Sequence, residues 1–314
     1  MPMPNLKRLK PLHWMYNLLH WRQLQHQRQA YKLHGVQKPI YGSISSKDFP
    51  DKTSRAWLDL ADSAQVAPGH PQFEQFNEGT RQQILQWSAK GYMVLPGLIN
   101  HAEAEAVNEA VNDLLASGKH PLTHDHKLVH AHRLHPAINQ LFRNTHLQAI
   151  TSFLLGKQTL PFQTLNFVQG SGQRAHSDSI HMTTYPLGYL IAAWIALEDI
   201  HPDSGPLFYY PGSHKLPYLL NEDFGNLSSR FALGNKAYTD YEEVVETVLT
   251  QTNFEKEIFL PQKGDVLIWH ANLIHGGMPV VNPSLTRKSM VIHYYAADVI
   301  KYHEITERPA LVSG

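Results

Sequence analysis

The chain has no cysteine in its 314 residues. Disulfides and thiolate metal sites are thereby excluded, so any resident metal has to be held by histidine and carboxylate. An excess of charge is missing too, because 27 Lys and Arg balance 27 Asp and Glu. Without a basic field there is no electrostatic footprint for nucleic acid, and none is expected as a partner. No apolar run approaches the roughly 20 residues a membrane-spanning helix needs. Lys7, Arg8 and Lys10 are not followed by the continuous apolar stretch of a secretory signal. A cytoplasmic protein is expected, with any membrane contact peripheral.

One local absence is informative. No acidic residue precedes Asp48, while Lys7, Arg8, Lys10, Arg22, Arg28, Lys32, Lys38 and Lys47 are all basic. Trp14, Leu18 and Trp21 recur at helical spacing between them, with Met15 and Leu19 alongside. This predicts a basic amphipathic helix within residues 1–40. It fits a helix lying on an anionic membrane surface or on a partner. The more ordinary reading, because any surface helix is amphipathic, is a helix packed on the rest of the chain with its basic face in water. Residues 43–71 read as loop and linker, so the chain divides into an N-terminal extension over 1–70 and a main domain over 71–314.

The main domain carries stronger signals. A helix is predicted over 82–89, ending at Gly91, and a short strand over 92–95, closed by Pro96 and Gly97. Asn100 with Glu103 three residues on has the form of a capping box, opening a helix that stops at Gly118. Two further helices are expected between Pro136 and Gly156. From Leu160 onward, short β-rich runs are separated by Gly, Pro and polar turns: 163–168, 190–197, 207–210, 265–269 and 289–295. That pattern predicts a mainly β fold, a jelly roll with flanking helices.

Histidine is abundant, at 21 residues, and abundance alone says little. Order and spacing say more. In His176-Ser177-Asp178 an imidazole and a carboxylate are two residues apart, and on extended backbone such residues share a side. His275 follows 97 residues after Asp178, at the end of another predicted strand. Two histidines and one carboxylate on one face of an octahedron leave three positions open, the facial triad of non-haem iron(II) oxygenases. Two of those suit a bidentate oxoacid and the third O2. Arg287 comes 12 residues after His275, past the turn Asn282-Pro283-Ser284. Its planar fork matches the distal carboxylate of 2-oxoglutarate. The alternative for Arg287 is a surface strand residue paired with a neighbouring acid.

These features in this order resemble the phytanoyl-CoA dioxygenase family. The resemblance runs from about Phe73 to Tyr295. It is carried by Gly91-Tyr92 to Pro96-Gly97, His176-Ser177-Asp178, Trp194 to Asp199, Ser204-Gly205-Pro206-Leu207, Pro211-Gly212-Ser213-His214-Lys215, Gly264-Asp265 to Trp269-His270, His275-Gly276 and Arg287. It implies a double-stranded β-helix of the cupin-like kind. It also implies iron(II), with 2-oxoglutarate and O2 as cosubstrates, and oxidation of an unactivated C–H bond with release of succinate and CO2. Asp178 stands where related halogenases have a small residue, which implies hydroxylation. Gly277 stands where the family often has Ser or Thr beside the oxoacid, so that contact has to come from elsewhere or is lost.

The resemblance also implies that Asn166 and, on its face, Thr164 lie near the cosubstrate, with Trp194 flanking it. His181, Tyr185, Arg174 and Tyr210 are candidates to face the substrate, and His214 is read as part of a structural turn. The substrate class left open is a small molecule or a lipid-like one. Two other readings stand beside the oxygenase: a jelly-roll binding protein without catalysis, and a cupin-like hydrolase or isomerase with zinc or manganese.

Overall fold

The computed structural model describes residues 6–53, 56–123 and 126–312. Within them, twelve strands form three antiparallel sheets. They are β1 (Tyr92–Leu95), β2 (Lys127–Val129), β3 (Thr159–Phe167), β4 (Thr183–Tyr185), β5 (Leu190–Ala196), β6 (Leu207–Tyr209), β7 (Glu257–Ile258), β8 (Val266–His270), β9 (His275–Gly277), β10 (Ser289–Ala296), β11 (Ile300–His303) and β12 (Arg308–Pro309).

The large sheet has the order β1-β8-β5-β10-β3-β2, and a small sheet, β7-β6-β9, lies against one of its faces. This is the double-stranded β-helix expected. Side chains alternate across the large sheet. Ile191, Ala193, Ile195, Ile268, Met290 and Ile292 point to one face and pack on helices His101–Ala116, Pro136–Phe142 and Thr145–Leu155. Trp194, Leu267, Trp269 and Val291 point to the other and meet Leu207, Tyr209 and Phe259 of the small-sheet layer. Burial on both faces explains why Leu190–Ala196 reads as an unbroken apolar run.

The helix signals have local causes. Asn100 accepts from the Glu103 N–H at 2.9 Å while the Glu103 carboxylate accepts from the Asn100 N–H at 3.2 Å, closing the capping box. Gly91, at φ +75°, ends the helix before β1, and a Cβ there would lie 2.3 Å from His214 Nδ1. Two residues at this close approach leave room only for glycine.

Residues 43–71 are not a linker. Ala56, Leu58 and Ala67 are fully buried in the main core, and Asp59 lies 3.2 Å from His270 Nε2. The N-terminal segment also pairs with the C-terminal one. Ala30, Tyr31, Ile44 and Phe49 pack on Ile300 and Tyr302 of β11. The buried Glu304 carboxylate accepts from the Ser46 N–H at 2.9 Å and the Ser46 hydroxyl at 2.6 Å. The two ends of the chain therefore wrap a common wall of one body.

Candidate active site

His176 and His275 lie side by side because their backbones form a two-bond bridge. Each N–H donates to the other's carbonyl at 2.9 Å. Each imidazole is then oriented by its own chain: His176 Nδ1 donates to the Arg174 carbonyl and His275 Nδ1 to the Leu273 carbonyl, both at 2.9 Å. A proton fixed on Nδ1 leaves the Nε2 lone pair for a metal. Asp178 follows at the start of a short 3-10 turn over Asp178–Ile180. Its Oδ1 is 3.9 Å from His176 Nε2 and 3.8 Å from His275 Nε2. One ligand atom from each of the three falls within 4.8 Å of the others, and all three residues are buried.

The other carboxylate oxygen is occupied. Trp269 Nε1 donates to Asp178 Oδ2 at 2.8 Å. The indole thus turns Oδ1 toward the histidines. His293 Nε2 lies 3.6 Å from Asp178 Oδ2, too long for a direct hydrogen bond. Ser177 N donates to the Tyr241 hydroxyl at 3.0 Å, tying the loop to helix Tyr238–Thr250.

The electrostatics suit a cation. Burial alone would raise the Asp178 carboxyl, but His275, His293 and His176 outweigh it and hold the group far below the usual carboxylate range. Burial, helped by neighbouring His275, pushes His176 down to about 4. At neutral pH the site therefore presents a carboxylate and a neutral imidazole, the forms that ligate metal. Two imidazoles and one carboxylate, open on the cavity side, fit iron(II).

A cavity of about 780 Å³ opens from the triad. Arg287 reaches into it from the segment before β10 and is only 3% exposed. Its Nη1 donates to Ser289 Oγ at 3.0 Å, and its guanidinium lies 4.9 Å from the Phe167 ring and 5.9 Å from Trp194. Among the described residues its Nε has no hydrogen-bond partner and it forms no ion pair. Burial pushes it down to about 10, with Glu198 acting the other way, so it stays cationic at neutral pH.

The remaining sequence candidates divide. Trp194 and His181 line the cavity. Burial, reinforced by His303 and His176, lowers His181 to about 3. Thr164 and Asn166 do not line it. They occupy the other face of β3, where Thr164 Oγ1 is 3.0 Å from His132 Nδ1, and the cavity face of that strand carries Gln163, Leu165 and Phe167. The expected strand parity was off by one residue, which in a period-two element exchanges the faces. Tyr185 is also away from the cavity, stacked on Phe49 at 3.9 Å. Arg174 turns outward to Glu246 at 2.7 Å and Glu242 at 3.2 Å. Tyr210 packs with Phe208 outside the cavity lining. His214 is in the turn, its carbonyl accepting from Asn272 Nδ2 at 3.1 Å.

Four residues escaped the sequence reading. Trp269 and His293 share the inward face of their strands, an alternation that could have found them. Ser289 was hidden two residues past Arg287. Ser171 gave no signal: its hydroxyl would lie 2.8 Å from a Cβ at Gly277, so a loop serine fills the space where the family often carries a hydroxyl on the strand.

Comparison with known proteins decides the family. The phytanoyl-CoA dioxygenase model matches residues 87–289. The chain belongs to the phytanoyl-CoA dioxygenase family. It is 27% identical over 103 residues to phytanoyl-CoA dioxygenase domain-containing protein 1 of Danio rerio, covering 32% of this chain and 31% of that one. It is 26% identical over 172 residues to the peroxisomal phytanoyl-CoA dioxygenase of Homo sapiens, covering 51% and 47%. The chain thus aligns with 31% to 47% of the length of these curated relatives. Among solved structures, the non-heme alpha ketoglutarate dependent carbocyclase SnoK superposes with TM-score 0.60 at 17% identity, over 77% of this chain and 95% of that one. EctD from S. alaskensis with 2-oxoglutarate and 5-hydroxyectoine gives TM-score 0.53 at 20% identity, over 79% and 84%. At these identities the likeness is one of fold.

Proposed function

We propose that this protein is an iron(II)- and 2-oxoglutarate-dependent dioxygenase. It hydroxylates an unactivated C–H bond of a small, largely apolar or lipid-like substrate and releases succinate and CO2. The observation that carries this reading is the buried guanidinium of Arg287, without a carboxylate partner among the described residues, in the cavity that also holds the His176, Asp178 and His275 triad. A buried charge without a counter-charge is costly and is retained where a ligand supplies one. A dicarboxylate that meets the metal at one end and Arg287 at the other supplies it.

Iron with 2-oxoglutarate and O2 supplies, when bound, the oxidising power for an unactivated C–H bond. The chain's own residues do the rest. His176, Asp178 and His275 hold the metal on one side only and leave the cavity side open. Trp269 holds Asp178 in the orientation that offers Oδ1. Arg287, steadied by Ser289 and flanked by Phe167 and Trp194, anchors the far carboxylate away from bulk water. Ser171 offers a hydroxyl beside Gly277. Phe162, Leu165, Met182 and Tyr295 give the remaining cavity an apolar lining suited to a hydrocarbon portion of substrate.

The test is an anaerobic titration. Iron(II) followed by 2-oxoglutarate should give a visible charge-transfer band in the wild type, and admission of O2 should yield succinate. His176→Ala, Asp178→Ala and His275→Ala should each abolish both signals while the circular dichroism spectrum is kept. Full succinate formation by any of these variants would overturn that ligand's assignment. Iron binding without any response to 2-oxoglutarate would overturn the oxygenase reading.

A further inference from the structure

Helix Lys10–Leu19 is mounted with its polar side inward. Lys10 and Asn17 are the buried residues of the helix, at 5% and 0% exposure. Each is held by the far end of the chain. Lys10 Nζ pairs with Glu307 at 2.5 Å, and Asn17 accepts from Arg308 at 3.4 Å while donating to the Tyr41 carbonyl at 3.0 Å. Trp14, on the same side, donates to Ser43 Oγ at 2.8 Å.

At about 100° per residue, this leaves Leu12, Met15, Tyr16, Leu18 and Leu19 on the opposite arc. All five are exposed, Leu19 at 79% and Met15 at 62%. Trp21, just past the helix, is exposed as well. The Leu9–Ala232 bridge sets a second loop beside the helix, and that loop exposes Leu227 and Phe231. An amphipathic helix normally turns its apolar arc to the core. Here buried ion pairs and hydrogen bonds hold it the other way, so the exposure is built in.

The charge around this arc points to one occupant. The sequence has no acid before Asp48. Arg22, Arg28 and Lys32 are exposed and, among the described residues, form no ion pair. Arg230 lies in the neighbouring loop, over the Phe231 ring. An exposed apolar helix face, followed along the chain by exposed cations and flanked by Arg230, is the pattern of a helix that sinks into the headgroup region of an anionic bilayer. The arc also touches the cavity: Tyr16 lines the mouth together with Arg308, whose guanidinium is 4.7 Å from the Tyr16 ring.

We infer that the N-terminal helix docks the protein on an anionic lipid surface and places the cavity mouth at that surface. The docking stands independently of the oxygenase reading. Its consequence, that the substrate is an amphiphile drawn from the membrane, rests on that reading.

The full-length protein should co-sediment with phosphatidylcholine vesicles containing phosphatidylglycerol and not with pure phosphatidylcholine, and salt should weaken the binding. Trp emission should shift to the blue on binding, and Trp21→Phe should remove much of that shift. Met15→Ser/Leu18→Ser/Leu19→Ser and, separately, Arg22→Glu/Arg28→Glu/Lys32→Glu should each reduce vesicle affinity by about tenfold or more. Both variants should keep the wild-type 2-oxoglutarate titration, which separates a failure of docking from a failure of the site. Equal binding to neutral vesicles, or unchanged binding by either triple variant, would overturn the proposal. So would a concentration-dependent dimer abolished by the apolar triple variant, since the arc would then be an interface between copies of this chain.

Discussion

Replacing Arg287 tests the site most directly. Its guanidinium is 3% exposed, donates to one hydroxyl and has no carboxylate within ion-pair distance among the described residues. In the bound state it would be half of a buried, charge-assisted pair. Truncating one partner of such a pair costs on the order of 2–5 kcal/mol. At about 1.4 kcal/mol per tenfold, the 2-oxoglutarate midpoint of Arg287→Ala should rise by roughly 30- to 4,000-fold. Arg287→Lys should recover only part of this, because an ammonium cannot reproduce the planar fork. The assay is the anaerobic charge-transfer titration of iron-loaded protein, with iron affinity measured separately and expected to be nearly unchanged. The unliganded protein provides a second readout. An uncompensated buried charge is destabilising, so Arg287→Met should melt at or above the wild-type temperature without 2-oxoglutarate and should gain little when it is added. An unchanged midpoint in Arg287→Ala, or equal 2-oxoglutarate stabilisation of Arg287→Met, would refute the assignment and leave a metal-binding jelly roll.

Four further outcomes follow from the structure. Trp269→Phe removes the N–H that holds Asp178 Oδ2 and should weaken iron(II) affinity by about 10- to 100-fold, read by competition with a chelator. Ser171→Ala should raise the 2-oxoglutarate midpoint by about 2- to 10-fold. Gly277→Ser should fail to improve it, because the added Cβ would lie 2.8 Å from Ser171 Oγ. Metal-free protein should be acid-labile: burial, aided by Lys301 at His26 and by His270 at His214, lowers His26 and His303 to about 4 and His214 to about 3. Their unfolded forms take up protons near pH 6.5 while the folded forms do not, so stability is lost as pH falls from about 6.5 toward 4. A melting temperature unchanged from pH 7 to pH 5 would contradict this.

The order and spacing of the chain determined much on their own. His176-x-Asp178 on extended backbone, a histidine at the end of a later strand and an arginine past the next turn are local patterns, and each needs only the period of a strand or the punctuation of a turn. The capping box at Asn100 and the glycine stop at Gly91 were legible for the same reason. Strand parity at β3 was not. Its sequence places polar and apolar residues on both faces, and its pairing with β10 shifts register between His293 and Tyr294, so alternation alone carries no phase. Which face meets the cavity was decided by tertiary packing, which buries Thr164 and Asn166 on the far side, Thr164 against His132. The N-terminal helix shows the same limit more sharply. Amphipathicity announces that a helix has two sides, but not which side is buried. Here Glu307 and Arg308, some 290 residues further along the chain, bind Lys10 and Asn17 and turn the apolar arc outward. Partners at that separation leave no trace in local periodicity, and only the closed tertiary structure brings them together.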